Sequence, residues 1–185
     1  MATLIDSYSE TNANSFGYGL SIYGQAFANT SEVTLYSAKF YLAQNEFNTV
    51  GGTMNVVIYA ATGTLGSTAE PTGSVLATSE SLDMITFPTT VTLQEFLFTG
   101  ANKITLTSST NYCVGMYLDY DSPPGKGDGI LTYYDSTSPS HSGNYFHLSG
   151  TFEANSGLDT IFYVYADDGG TPAVIHHLGI LGIGV

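Results

Sequence analysis

From Val33 to Leu42 apolar and polar positions alternate: Tyr36, Ala38, Phe40 and Leu42 fall on one face, and Ser37, Lys39 and Tyr41 on the other. A period of two marks a strand with one side against a core. The same period sets Met54, Val56, Ile58 and Ala60 inward, with Asn55 and Tyr59 outward. A stretch rich in Gly, Thr and Pro from Thr62 to Ser74 reads as a loop, and a short strand follows around Val75 to Thr78. Between Val91 and Thr99, Gln94, Phe96 and Phe98 alternate with Leu93, Glu95 and Leu97. Ile104 to Leu106 is brief. The longest apolar pattern then places Tyr112, Val114, Met116, Leu118 and Tyr120 on one side.

Asp119 to Gly129 is dense in Asp, Gly and Pro and reads as a loop. Ile130 to Tyr134, Tyr145 to Leu148 and Thr160 to Tyr165 complete the strand set. No stretch of helical length carries an apolar stripe of period 3.6. Many short strands with short connections in one domain predict an all-β fold: an antiparallel two-sheet sandwich of jelly-roll type. Residues 1–168 are expected to form that sandwich. The remaining segment, 169–185, is apolar and punctuated by glycine, TPAVIHHLGILGIGV from Thr171 onward. Left exposed it would be an aggregation hazard. It is read either as a final strand on its own sheet or as an assembly tail in which Val174, Ile175, Leu178, Ile180, Leu181 and Ile183 make the contacts.

Composition supports strands over helices. Only 10% of the 185 residues are charged, where about a quarter is usual. Ser, Thr, Asn, Gly and Tyr stand in their place, and these suit pleated sheets and tight turns. Sixteen acidic residues against three lysines give a net charge of −13. Lys39, Lys103 and Lys126 cannot build the basic patch that nucleic acid requires, and an anionic membrane would repel the chain. No apolar run is long enough to span a bilayer, so no membrane insertion is expected. The opening residues lack the basic and apolar regions of a secretory signal. The single cysteine, Cys113, lies in an apolar strand pattern and is expected to be a buried, inert thiol.

Candidate chemistry is sparse. Asp119, Asp121 and Asp128 have a spacing that matches a calcium-binding loop only in part. Two prolines and a lysine interrupt the loop, and an ordinary acidic turn is the expectation, with no cofactor. No nucleophile elbow, zinc-protease helix or phosphate-cradling glycine loop is present, and nothing selects a glycosidase carboxylate pair. The chain is therefore read as non-enzymatic. The segment from Tyr133 to Phe146 holds the most informative side chains: Tyr133, Tyr134, His141, Asn144 and Tyr145 have the mixture of aromatic faces and polar groups that binds sugars. The competing reading is that the tyrosines fill the core and the residues between form a polar hairpin.

The ordered set LIDSYSETN, VTLYSAKFYL, VVIYAATGTLG, EPTGSVLATS, FLFTGANKITLTSSTNYCVGMYLDY, DSTSPSHSGNYF and DTIFYVYAD, spread over residues 4–167, resembles choice-of-anchor jelly-roll domains. Similar proteins are encoded in tailed-phage and metagenomic phage genomes. The resemblance implies a displayed sandwich without enzymatic activity and supplies no ligand residues to carry over. It favours a virion structural protein of decoration, fibre or tail-associated type, located on the particle surface, or otherwise on a cell surface or extracellular. The expected partners are further copies of the chain, a trimer being the expected form, and other virion proteins. A carbohydrate-binding module that recognises host-surface glycans is the alternative.

Overall fold

The computed structural model describes residues 2–18, 22–46, 51–122 and 129–168, with the side chains of 15–18 outside the description. Along the chain run β1 (Ala2–Tyr8), β2 (Ser15–Tyr18), β3 (Ile22–Asn29), β4 (Val33–Gln44) and β5 (Gly52–Thr62). Then follow β6 (Glu70–Thr78), β7 (Leu82–Asp83), β8 (Thr92–Leu97), β9 (Thr105–Leu106) and β10 (Thr110–Tyr120). The last are β11 (Ile130–Asp135), β12 (Tyr145–Ser149), β13 (Thr151–Asn155), β14 (Asp159–Thr160) and β15 (Phe162–Asp167). Among the described residues the only helical elements are three single 3-10 turns, and no helix is long and apolar enough to cross a membrane.

Two antiparallel sheets face each other as a β-sandwich. One runs β1-β15-β4-β11-β14, with β8 and β9 also paired to β4 and β2 to β11. The other runs β13-β12-β3-β10-β5-β6, with β7 on β5. Between them Phe27, Phe40, Leu42, Met54, Ile58, Phe96, Val114, Met116 and Phe162 are fully buried. Each such side chain contributes roughly 1.5–3 kcal/mol on leaving water, so the inter-sheet layer is the main source of stability.

The alternation read in β10 holds: Tyr112, Val114, Met116 and Leu118 enter this core and Tyr120 packs against it. In β4 the phase changes partway. A bulge opposite Tyr165 and Ala166 makes Tyr36 the extra residue, so Leu35 turns inward, fully buried, and Tyr36 is only half-buried. One inserted residue reverses the faces of everything beyond it, which corrects the inward placement of Tyr36. The expected loop from Thr62 to Ser74 ends earlier, because β6 begins at Glu70. Its pairing with β5 jumps from Ala77 to Thr72, and the displaced bend leaves Val75 and Leu76 exposed.

The seven-stranded sheet is apolar on its outer face as well. Ile22, Ala26, Val57, Tyr59, Cys113 and Phe146 form a second buried cluster there. The 62–69 loop contributes Ala69 and Leu65, and β13 contributes Phe152. Cys113 lies in this cluster, fully buried. Burial pushes its thiol far above the ordinary range, since a thiolate there would have no solvent.

Candidate functional site

The segment singled out from sequence joins the two sheets. Tyr133, Tyr134 and Asp135 end β11, Tyr145 begins β12, and residues 136–144 cross between them. Asp135 organises the start of the crossing. Its Oδ1 accepts from the backbone N–H groups of Thr137 at 2.8 Å and Ser138 at 3.0 Å and from Asn14 Nδ2 at 3.2 Å. Its Oδ2 accepts from the Tyr8 hydroxyl at 2.6 Å. Asn12 Nδ2 donates to the same hydroxyl at 3.1 Å. Burial alone would raise the Asp135 carboxyl, but these donors outweigh it and hold the group below the usual aspartate range. Beside it lies an open cleft of about 250 Å³ lined by Thr11, Asn12, Asn14, Asp135, Thr137 and Ser138.

Farther along, His141 is clasped from both sheets. Gly143 N–H donates to its Nδ1 at 2.9 Å, which leaves the ring proton on Nε2, 3.1 Å from Asp6 Oδ1. Gln25 Nε2 lies 3.2 Å from Nδ1 and donates to Asp159 Oδ1 at 2.7 Å. The backbone N–H of His141 donates to Asp159 Oδ2 at 2.8 Å. Gln25 Oε1 accepts from Thr160 N–H at 2.9 Å, and the imidazole stands edge-on to Phe162 with ring centroids 5.2 Å apart. Burial raises Asp159 above the ordinary carboxyl value, against the pull of the His141 and Gln25 donors. Strands β1, β3 and β14 are thereby tied to one loop. Gly143 is required for this approach: a Cβ there would lie 1.8 Å from Ala26 O and 2.9 Å from His141 Nδ1.

Three of the five proposed sugar-contact side chains are interior, a correction to their reading as surface groups: that of His141 is only 6% exposed. Asn144 is fully buried. Its amide accepts from Ala69 N–H at 3.2 Å and donates to Ala69 O at 2.9 Å and Tyr145 O at 3.0 Å, pinning the 62–69 loop. The Tyr145 ring is buried in the main core, 6.1 Å from Tyr134 and 5.7 Å from His147 between centroids. Burial drives its hydroxyl well above the normal tyrosine range. Tyr133 and Tyr134 are half-buried, Tyr133 packing edge-on against Tyr41 at 5.5 Å. The five residues are neighbours, but they present no common aromatic platform.

Asp119 and Asp121 are exposed at the end of β10, while Asp128 lies outside the described residues. Among the described residues no group of three or more His, Cys, Asp or Glu side chains is placed to hold a metal ion. Val174, Ile175, Leu178, Ile180, Leu181 and Ile183 also lie outside the described residues. Asp6, Tyr8, Asn12, Asn14, Gln25 and Asp159 do not stand out in the sequence. They come from separate strands and turns, and no motif spacing links them.

No protein-family model matches the chain, and no curated protein or solved structure matches it either.

Proposed function

We propose that this chain is a non-enzymatic structural protein of a particle surface, a virion protein of decoration, fibre or tail-associated type, that self-associates in a closed oligomer. The observation that carries this reading is where the hydrogen bonds of the candidate site go. Asp135, Asp159, Gln25 and Asn144 bond to backbone and side chains of other strands and loops, so the polar groups serve to lock a rigid body. Such a body suits display in many copies. The net charge of −13 keeps copies soluble and apart unless an uncharged surface joins them. The apolar 171–185 segment and the resemblance to choice-of-anchor modules support the same reading. Closed symmetric rings are the usual outcome of such contacts, and a trimer is the expected form. Sedimentation velocity of the full chain at micromolar concentration tests it. A discrete oligomer is the expected result, and a strict monomer at all concentrations would overturn the self-association.

A second reading, recognition of a host-surface glycan, is favoured by the cleft beside Asp135. Its wall of amides and hydroxyls from Thr11, Asn12, Thr137 and Ser138 offers the neutral hydrogen-bonding groups that sugar hydroxyls match. Binding on a glycan array that is lost in Asn12→Ala, with the melting curve retained, would support this site. Failure to bind any glycan on a broad array would count against it.

A further inference from the structure

We propose that the outer edge of β1 accepts the apolar segment 174–185 of a second copy as an added strand. The inference rests on the self-association reading above and names its surface. Strand β1 is the terminal strand of its sheet, and among the described residues it pairs only with β15. Its other side therefore presents backbone N–H and C=O groups that no described strand pairs with, which is a template for a further strand. Natural edges are usually blunted by charge or proline. Here β1 has no proline and one charge, Asp6, whose carboxylate lies 3.1 Å from His141 Nε2; from Ala2 to Ile5 there is none, and the bulge at Ile5 is the edge's one irregularity. Leu4 on that edge is 49% exposed, second only to Ile85 among the large apolar side chains of the described residues. Next to it a cleft of about 140 Å³ opens between β1 and the β3–β4 turn, walled by Leu4, Ile5, Val33, Ala166 and Asn29.

Charge, length and position single out the occupant. Two copies that each carry −13 repel, so a stable contact has to join uncharged surfaces. This edge and the tail meet that condition: residues 171–185 contain no Asp, Glu, Lys or Arg. Within the tail Leu181, Ile183 and Val185 alternate with Gly182 and Gly184, a period of two with one apolar face and one nearly bare face. The twelve residues 174–185 exceed the seven of β1. The described residues end at Asp168, beside this cleft, since Asp167 pairs with Ala2 and Ala166 lines the wall, and the tail follows them in the chain. To reach the outer edge of its own β1, it would have to cross over that strand and then run parallel to it. In a neighbouring copy it can add antiparallel without a crossover, and antiparallel pairing is the more stable. The contact is then tail of one copy to edge of the next, a head-to-tail arrangement that closes into a ring.

The test uses the full chain with two substitutions at opposite ends of the contact. Leu4→Lys disables the edge and leaves the tail; Ile183→Asp disables the tail and leaves the edge. Each should weaken self-association about 100-fold by placing a charge in an apolar contact, with the near-UV circular dichroism of the folded chain retained. An equimolar mixture should then form a 1:1 dimer, because the intact tail of one variant meets the intact edge of the other. If either variant assembles as wild type does, or the mixture stays monomeric, the edge-to-tail contact is wrong while self-association stands. A monomeric wild type overturns both.

Discussion

Replacing Asp135 by alanine removes one carboxylate that accepts four hydrogen bonds, from Tyr8, Asn14, Thr137 and Ser138. The donors do not lose equally. Thr137 and Ser138 are exposed, so their amides turn to water and most of their contribution is recovered. The Tyr8 hydroxyl lies on a buried side chain and loses its charged acceptor, keeping the neutral partners Asn12 and Ser140 and a long contact to Ser138 O. A hydrogen bond to a charged group contributes about 1.5–3 kcal/mol, and a neutral one about 1. Loss of the Tyr8 bond and of the local turn together therefore costs about 3 kcal/mol. For a chain of this size that lowers the melting temperature by about 6–12 °C. Asp135→Asn should cost about half as much, since its Oδ1 still accepts from the turn amides while Nδ2 cannot accept from Tyr8.

The pH dependence adds a second readout. The folded carboxyl of Asp135 is held below its unfolded value, so its stabilisation is present above the unfolded pKa of about 3.9 and lost as pH falls through the folded value. Asp159 is shifted the other way; what it contributes is full below its unfolded value and lost as pH rises through the folded one. Subtracting the urea unfolding free energy of Asp135→Ala from that of wild type at each pH cancels the Asp159 part. The gap should be full at neutral pH and narrow below about pH 4. A gap under about 1 kcal/mol at neutral pH, or one that does not change with acid, would refute the role given to Asp135.

Gly143→Ala should unfold the crossing loop or cost more than about 3 kcal/mol, because the new methyl meets backbone at Ala26. Gly73→Ala, at φ +70° in open space, should cost only about 1 kcal/mol in the same denaturation assay. Tyr145→Ala should lower stability by about 3–4 kcal/mol, as truncation of a core aromatic does; a melting curve equal to wild type would place that ring on the surface after all. Cys113 should resist a thiol reagent at mildly alkaline pH in the native protein and react on unfolding, and rapid native labelling would contradict its burial.

The fold class is legible because one-sided strands advertise themselves. In β15 Phe162, Val164 and Ala166 are buried while Tyr163, Tyr165 and Asp167 are only partly covered, a strict period of two. Strand β3 shows no such pattern, since both its faces are covered: Tyr23 and Phe27 enter one cluster, Ile22 and Ala26 the other. A strand buried on both sides loses the alternation that identifies it. The outward turn of Tyr36 is hidden for a different reason: a bulge is a property of two paired strands and leaves no local mark. At the candidate site the segment from Tyr133 to Tyr145 does gather polar and aromatic groups, as its composition suggests. What the residue order does not carry is which side chains face solvent. Asn144 is occupied by Ala69, 75 positions away, and His141 by Asp6, 135 positions away. Contacts of that separation are set by topology rather than by spacing.

Quantitative mass spectrometry of particles purified from the source of this sequence tests the proposed function most directly. The chain should be present in purified particles, in a fixed copy number that is a multiple of its oligomeric state. Its absence from particles, together with recovery of the intact chain elsewhere in the same preparation, would contradict the particle-surface role.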